Sequence, residues 1–368
     1  MVFALNFFGH SMKSAEYSPF RRKLIQWYVN RARDLPWRRT NDPYRIWISE
    51  IMLQQTTVAA VVPYFERFLA RFPTVIELAA ADENNVLRLW EGLGYYSRAR
   101  NLHKAANAIV QQHAGTFPTD LETLRLLPGI GRYTAGAIVS FAFNLRAPIV
   151  EANTLRLYCR LLGYEGDPRS KDGQLALWSF AEAILPRTEP GRLNQALMEL
   201  GATVCSPVEP KCEVCPVHAH CISFRDSLQS TIPRPKTRTV FTDITEVSIA
   251  IRNGSKYLVR RRAQKERWAG LWDFIRFEID HDANKIDGPH LVATILERTG
   301  LSVELGSQIA ELKHGVTRYR ITLKCFTAKR IKGRLKQGEE WQWVEPTNFG
   351  EYPLSATARQ LAEKLKKS

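Results

Sequence analysis

Apolar residues recur at helical spacing through most of the first 225 residues, and the breaks between these patterns are short. Apolar positions three and four residues apart are typical of helices that bury one face. We therefore predict that this part of the chain is all-α. Its clearest helices are predicted over residues 20–33, 43–53, 58–71, 95–112 and 174–185.

The apolar pattern changes after residues 227–240, which contain two prolines, three basic residues and few apolar ones. This composition is typical of an interdomain linker. Beyond it, β-branched and aromatic residues predict an α+β domain over residues 241–368, preceded by a helical region, 18–226, and an N-terminal extension, 1–17. Its strands are predicted at 245–251, 257–261, 271–277 and 318–326, with one helix near 290–298.

The net charge of the chain indicates which class of binding partner to expect. The 368 residues include 52 Lys and Arg against 37 Asp and Glu, a net charge of +15, which favours a polyanion such as DNA. No apolar run approaches the roughly 20 residues that a membrane span needs, so we expect no membrane partner. Residues 1–9 are apolar but lack the basic start and cleavage site of a signal peptide.

A glycine-rich turn, Leu127-Pro128-Gly129-Ile130-Gly131, separates two predicted helices. Glycine permits backbone angles that other residues rarely adopt and allows close approach by another molecule. Free N–H groups at the start of the next helix would then face a phosphate oxygen. We predict that Gly129 and Gly131 hold a phosphate group; an ordinary turn between packed helices is the alternative. The full pattern LPGIG followed by a helix resembles the helix-hairpin-helix of DNA-repair glycosylases related to endonuclease III, which implies that these glycines contact the DNA backbone.

Four of the six cysteines follow the spacing C-x6-C-x2-C-x5-C, at Cys205, Cys212, Cys215 and Cys221. Four thiolates can hold an iron–sulfur cluster or a structural zinc ion, and the spacing alone favours the cluster without excluding zinc. Such crowding indicates a metal centre in a reducing compartment rather than a disulfide framework, so we expect a cytoplasmic protein. Cys159 and Cys325 are predicted to be core residues.

Two carboxylates are candidates for chemistry on a base that has been turned out of the DNA stack. Glu50 lies on an otherwise apolar helix, where burial raises a carboxyl pKa toward the value that a general acid needs; an ion-paired edge residue is the alternative. Glu151 follows an apolar run and would stabilise positive charge on the sugar. Its alternative is an acid at a helix N-terminus.

The segments SEIMLQQT, GLGYYSRARNLHKAA, LPGIGRYTAGAI and the cysteine run occur in this order. They resemble the MutY family of adenine DNA glycosylases, within the endonuclease III superfamily. The resemblance implies an all-α helix-hairpin-helix core with a 4Fe-4S loop and a C-terminal Nudix-like domain. It also implies removal of adenine paired with 8-oxoguanine or guanine in double-stranded DNA during base-excision repair, by an enzyme that we expect to be a monomer in a bacterial-type cytoplasm.

The resemblance further assigns residues to the site, with Glu50 as the acid that protonates adenine N7. The catalytic group is Glu50, Tyr133, Glu151 and Asn153, and the adenine pocket is Trp37, Arg38 and Gln195. The residues that contact or intercalate beside the oxidised guanine are Gln55, Thr56, Leu93 and Tyr95.

Two positions bear on the chemistry. Tyr133 stands where bifunctional relatives carry a lysine, and a phenol cannot form an imine with the sugar, so we predict a monofunctional glycosylase that uses water. Glu151-Ala152-Asn153 departs from the Asp-Gly-Asn of the family. The extra methylene keeps the charge but moves it, which matters for a positioned group.

The segment 265–274 resembles the Nudix-like domain through which this family recognises 8-oxoguanine. A Nudix hydrolase needs several glutamates to hold magnesium, and 294–300 keeps one, so we predict recognition without pyrophosphatase activity. The Phe-Ser-His recognition loop of the family falls on Val316-Thr317-Arg318, which gives Thr317 and Arg318 as DNA contacts. Thr317 keeps a hydroxyl, but the aromatic residue and the histidine of the family are absent at this loop, so discrimination of 8-oxoguanine from guanine is the weakest expectation from the resemblance. The alternatives are a glycosylase for thymine or uracil opposite guanine, and a non-catalytic DNA-binding redox sensor.

Overall fold

The computed structural model describes residues 17–236, 240–279 and 287–367, which form two compact units. The first unit contains the described residues up to Ala79 together with Lys104–Lys236, and the second contains Ala80–His103 together with the described residues from 240 onwards. Of the predicted N-terminal extension only Tyr17 is described, and residues 237–239 of the predicted linker also lie outside the described residues.

The described part of the first unit is helical, and α6 contributes residues to both units. The helices up to residue 225 are α1 Ser18–Arg31, α2 Pro43–Leu53, α3 Val58–Arg71, α4 Val75–Ala79, α5 Glu83–Leu89, α6 Ser97–His113, α7 Leu121–Leu126, α8 Arg132–Ala142, α9 Ala152–Leu162, α10 Lys171–Ile184, α11 Pro190–Thr203 and α12 Ile222–Arg225. The five predicted helices are all present, with ends shifted by at most a few residues. None of the described helices is long and apolar enough to cross a membrane.

Local sequence explains where the helices that carry the site begin. Asp42 accepts a hydrogen bond from the Tyr44 amide at 2.9 Å, and Pro43 occupies the first turn of α2. α2 packs directly against α8. α8 in turn lies close to the segment that leads into α9. The approach is so close that a Cβ on Gly136 would lie 2.5 Å from the Pro148 carbonyl oxygen. The absence of a side chain at Gly136 therefore allows α8 to approach the segment that leads into α9.

The described residues of the second unit form seven strands and two α-helices after residue 240. These are β1 Thr242–Asn253, β2 Lys256–Arg261, β3 Trp272–Asp273, β4 Ile275–Ile279, α13 Gly288–Thr299, β5 Leu301–Val316, β6 Tyr319–Gly333, β7 Trp341–Val344 and α14 Ala356–Leu365. The strands make one mixed sheet in the order β3-β2-β1-β6-β5, with β4 paired to β1 and β7 paired to β2. β1 and β6 are parallel. One face of the sheet packs on α14 through Leu361 and the other on α13 through Ile295.

The α+β prediction for this part of the chain is confirmed, but two strands were missed. β5 has only Leu301 and Val303 buried, so it shows no sustained alternation of apolar and polar residues. It is held instead by its antiparallel pairing with β6. β7 is four residues long, which is too short for a periodic pattern. The strand predicted at 271–277 is divided into β3 and β4.

The division into units differs from the predicted boundaries in one segment. Residues 80–103, predicted as part of the helical region 18–226, belong to the same compact unit as the sheet. The reason is a set of polar contacts between this segment and the C-terminal part of the chain. The pairs are Glu83 with Arg261, Glu91 with Arg359, and Arg100 with the Ala269 carbonyl.

Candidate active site

A cavity of about 670 Å³ lies within the first unit, between α2, α8, α11 and the N-terminus of α9. It brings together residues that are distant in sequence. The predicted site residues that line it are Trp37, Arg38, Glu50, Gln55, Thr56, Tyr133, Glu151, Asn153 and Gln195.

Glu50 is a buried carboxyl group of the cavity with a raised pKa. Its side chain projects from α2, and the residue is only 4% exposed. Burial raises the pKa of Glu50 to about 7; the hydrogen bond from Tyr133 opposes this shift, and the nearby Glu151 adds to it. A carboxyl group with this pKa is available both as an acid and, after it has given up its proton, as a base near neutral pH.

Tyr133 lies in the first turn of α8 and donates its hydroxyl proton to Oε2 of Glu50. Burial and the neighbouring charge of Glu50 raise the pKa of Tyr133 well above its ordinary value, so the phenol remains a donor at neutral pH. Because this bond uses Oε2, the Oε1 atom of Glu50 does not take part in it. The arrangement fixes the carboxyl group without consuming both of its oxygens.

Glu151 occupies the N-cap position of α9 and lines the cavity as well. Its Oε1 accepts hydrogen bonds from the amides of Asn153 and Thr154, each at 2.8 Å, and its own amide donates to Thr154 Oγ1 at 2.8 Å. Burial raises the pKa of Glu151, although these bonds and Arg156 act in the opposite direction. Glu151 therefore caps the N-terminus of α9 and borders the cavity at the same time, because its side chain folds back onto its own helix.

Asn153 is fixed from two sides. Its Nδ2 donates to Glu151 Oε2 at 3.3 Å, and its Oδ1 accepts from Arg156 Nη2 at 3.0 Å. Arg156 also donates to the Gly201 carbonyl at 2.7 Å. The side chain is held in place rather than free to rotate into the cavity.

Glu199, a fully buried carboxylate on α11, is a further charged group beside the site and is not among the residues predicted from sequence. Arg33 binds it with two hydrogen bonds of 2.8 Å, and Arg38 adds a third of 2.8 Å. Burial pushes the pKa of Glu199 upward, but the bonds from the two guanidinium groups outweigh it and the pKa lies below its usual value. Glu199 was hidden because it stands within an apolar helical pattern, and its partners are about 160 residues earlier.

The predicted adenine pocket is built around this pair of arginines. Arg38 lies 5.5 Å from the centre of the Tyr28 ring, and the Tyr28 hydroxyl donates to Gln195 Oε1 at 2.7 Å. Trp37 is buried and packs edge-on against Phe65, with ring centres 5.4 Å apart. Bonds and packing thus hold the three predicted pocket residues, Trp37, Arg38 and Gln195, in defined positions.

The glycine-rich turn has the geometry expected of an anion-binding site at a helix N-terminus. Gly129 has a φ of +78°, a left-handed conformation that favours glycine. Gly131 caps α8 without a side-chain hydrogen bond to the first helical amides, and the space where its Cβ would stand is open. The N-terminus of α8 is therefore accessible to a phosphate.

The remaining predicted DNA contacts occur in both units. Gln55, with a φ of +60°, and Thr56 follow α2 in the first unit. Tyr95 is 50% exposed in the second unit, whereas Leu93 is 7% exposed. Leu93 is thus covered by protein in this structure, and Tyr95 is the side chain that the loop presents to solvent. Thr317 and Arg318 are exposed at the turn between β5 and β6, where Thr317 has a φ of +53°.

Cys205, Cys212, Cys215 and Cys221 are free thiols that line one small cavity. Arg160 Nη1 donates to Cys205 Sγ at 3.4 Å and to the Ser206 carbonyl at 2.7 Å. Across the part of the chain that the structure describes, no three His, Cys, Asp or Glu side chains are grouped to hold a metal ion. Cys159 and Cys325 are buried, as predicted.

Comparisons with known proteins identify the two domains and the family of the chain. The family model for the HhH-GPD superfamily base excision DNA repair protein matches residues 48–183, and that for the NUDIX domain matches residues 247–364. An adenine DNA glycosylase of Buchnera aphidicola subsp. Schizaphis graminum is 36% identical over 260 residues, which are 70% of this chain and 75% of the relative. The adenine DNA glycosylase of Arabidopsis thaliana is 30% identical over 404 residues, 94% of this chain and 64% of the relative.

One solved structure of similar fold is that of a thermostable thymine-DNA glycosylase. Its TM-score is 0.53 at 29% identity, and the match covers 57% of this chain and 97% of the other.

The pKa of Glu50 predicts a pH-dependent gain of stability in Glu50→Gln. Its folded pKa of about 7 is higher than the unfolded value, so its favourable contribution is complete below pH 4.5 and is lost as pH rises through about 7. Glutamine can still accept the Tyr133 hydrogen bond and cannot ionise. Between about pH 5.5 and about pH 8.5, the unfolding free energy of the variant should rise relative to wild type by on the order of 2 kcal/mol.

Urea unfolding at the two pH values measures this difference. Glu122→Gln, at a carboxyl group that is 81% exposed on α7, is the control and should show no such change. Parallel stability profiles for wild type and Glu50→Gln would show that Glu50 does not titrate near neutrality.

Proposed function

Because this chain belongs to the family of adenine DNA glycosylases, which act in base-excision repair, we propose that it hydrolyses adenine from pairs with 8-oxoguanine or guanine without cutting the strand. The observation that carries the proposal is the buried Glu50 beside Tyr133 and Glu151 in a cavity large enough for one base. The net charge of +15 and the open N-terminus of α8 support binding to duplex DNA. We propose that it acts as a monomer in the cytoplasm.

In the proposed reaction, adenine is turned out of the duplex into the cavity. Protonated Glu50 transfers its proton to N7 of adenine, and the bond between C1′ and N9 breaks with its electron pair leaving on the base. Tyr133 keeps the carboxyl group oriented through its bond to Oε2. Water then adds to C1′ and gives a proton to the Glu50 carboxylate, which restores the acid and leaves an abasic site.

Glu151 would stabilise the sugar cation between these two steps. Its carboxylate borders the same cavity, and the amides of Asn153 and Thr154 hold it in one position. A fixed negative charge in a water-poor site stabilises a developing cation without rearrangement at the moment of reaction.

The lining of the cavity supports release of the base by water. No lysine lies among the described residues that line it, and Tyr133 occupies the position next to Glu50. Formation of an imine with the sugar requires an amine. We therefore propose a monofunctional enzyme.

Recognition of the partner base would involve the turn between β5 and β6. The Thr317 hydroxyl donates to the Val316 carbonyl at 2.7 Å, so its lone pairs remain available as acceptors. 8-Oxoguanine carries a hydrogen on N7, whereas N7 of guanine has none. An acceptor at this turn therefore favours the oxidised base, and we propose that Thr317, together with Arg318, contributes to this preference.

The four cysteines suit a 4Fe-4S cluster, which we propose as the cofactor. They line one cavity, and four thiolates at this spacing can hold a four-iron cluster. When bound, the cluster would tie the loop 205–221 together. Arg160 supports the fit, because it donates to Cys205 Sγ and to carbonyls of the same loop.

Adenine release from a duplex with an A·8-oxoguanine pair tests the proposed function directly. Wild-type protein should release adenine and leave a strand that breaks only after alkali treatment, and activity should fall about tenfold per pH unit above about pH 7 as Glu50 ionises. Glu50→Gln should lose at least about 100-fold in rate while it still binds the duplex. Release from T·G or U·G duplexes instead of the adenine pair would contradict the proposal.

Glu151→Gln separates the charge of this residue from its capping role, because a glutamine oxygen can still accept the two amide hydrogen bonds. The single-turnover rate of adenine release should fall at least about tenfold, with little change in melting temperature. Glu151→Asp, which keeps the charge, is the matched control and should lose less. A Glu151→Gln rate close to that of wild type would show that the charge takes no part in catalysis.

Metal analysis tests the cofactor. Protein purified without oxygen should contain about four iron atoms per chain, and Cys212→Ser should lose most of them. Cys325→Ser, at a buried cysteine in the sheet, should keep the full iron content. One zinc ion per chain, with little iron, would refute the cluster.

A further inference from the structure

Residues 91–96, which we call the probe loop, connect α5 to α6 in a strained conformation. Gly92, Gly94 and Tyr95 have φ values of +98°, +72° and +49°. A positive φ is unfavourable for a tyrosine, and half of its surface is exposed to solvent. An exposed aromatic residue held in a strained backbone indicates a functional constraint on this loop.

Side chains from the flanking elements support the probe loop from within. Arg98 donates through Nη2 to the carbonyls of Leu93 and Gly94, at 3.2 Å and 3.1 Å. Trp90 Nε1 also donates to the Gly94 carbonyl, at 3.1 Å. The Arg98 guanidinium lies 5.6 Å from the centre of the Tyr95 ring. These contacts define the shape of the loop, but they do not connect it to the sheet.

Arg359, on α14, makes that connection. It binds Glu91, the first residue of the probe loop, with two hydrogen bonds, Nε to Oε1 at 2.6 Å and Nη2 to Oε2 at 2.9 Å. The same guanidinium donates to the carbonyls of Phe349 and Tyr352, at 2.7 Å and 2.8 Å. Both charged side chains are mostly buried, with 22% and 16% of their surface exposed, so this ion pair is not a solvent-screened surface contact.

The elements on either side of the probe loop contact the sheet domain at a second place. Arg100, near the start of α6, donates to the Ala269 carbonyl. The next residue, Gly270, has a φ of +80°, and its Cα faces Glu83 and Leu87 of α5 closely enough that a Cβ there would lie 3.6 Å from each. The loop is thus connected to the sheet through Glu91 and flanked by helices that rest on the turn at 269–270.

We propose that Arg359 is a positioning residue that, through Glu91, holds the probe loop to the C-terminal domain so that Tyr95 meets the duplex in one orientation. The inference rests on the proposed function, since it takes the probe loop as a contact with mispaired DNA. Without this ion pair, the probe loop keeps the shape that Arg98 and Trp90 give it, but its position relative to the sheet varies, and fixing that position on binding costs affinity. Arg359 therefore contributes to mispair recognition and not to the chemistry at Glu50.

Glu91→Gln is the cleanest test, because Arg359 keeps its bonds to the Phe349 and Tyr352 carbonyls and the end of the chain stays anchored. In the full-length protein, the enzyme concentration for half-maximal single-turnover adenine release from an A·8-oxoguanine duplex should rise about tenfold. The maximal rate at saturating enzyme should change by less than about twofold, since the Glu50 step is untouched. 2-Aminopurine placed next to the 8-oxoguanine should show a weaker fluorescence increase on binding, as Tyr95 unstacks it less completely.

Glu363→Gln is the matched control, because it removes an exposed ion pair with Lys366 on the same helix. It should behave as wild type in both assays. Arg359→Gln should reproduce the Glu91→Gln defect, and the double variant should be no weaker than the worse single variant, because both changes remove one interaction. Arg359→Lys should restore part of the affinity.

The inference is overturned if Glu91→Gln matches Glu363→Gln in half-saturating concentration and in fluorescence. It is also overturned if the affinity losses of Glu91→Gln and Arg359→Gln are simply additive in the double variant. A wild-type protein that releases no adenine would instead refute the proposed function, so the two failures are distinguishable.

Discussion

The removal of the Glu50 carboxyl group from water is the constraint on which the site depends. In water this group would be ionised at neutral pH and unable to donate a proton; inside α2, burial raises its pKa to about 7. That shift depends on the close packing of α2 and α8, and the hydrogen bond from the Tyr133 hydroxyl to the carboxyl group opposes it. The same burial makes the ionised form of the site unfavourable, so the chemistry and the stability of the fold oppose each other at this residue.

Buried arginine–carboxylate contacts organise much of the remaining architecture. Glu199 gathers Arg33 and Arg38 beneath the cavity, and Arg359 connects Glu91 to the sheet. Each pair has at least one partner with little exposure to solvent, so removal of either partner weakens the electrostatic compensation of a buried charge. Such contacts specify one arrangement of the chain more strongly than apolar packing does, because the planar guanidinium binds a carboxylate in a defined geometry.

The position of segment 80–103 changes the view of how the protein is divided. The segment carries Tyr95 and lies, in sequence, within the predicted helical region. Its contacts in the structure nevertheless place it in the same compact unit as the sheet. The loop that is proposed to contact the mispair therefore shares a compact unit with the domain that is proposed to recognise the oxidised base. Within this unit Glu91 and Arg359, which are 268 residues apart, form a bidentate pair.

Local sequence determined the helices, most strands and the identity of the chemical groups. Periodicity located α2 and α3, the glycine pattern located the turn before α8, and the cysteine spacing located the metal loop, because each depends on residues near one another in the chain. Tertiary structure alone decided the rest. The apolar helix around Glu50 predicted its burial, but whether Leu93 is covered, how Glu199 is neutralised and which unit holds the probe loop all depend on distant segments. Long-range ion pairs form only when the chain is packed, and no local pattern encodes them.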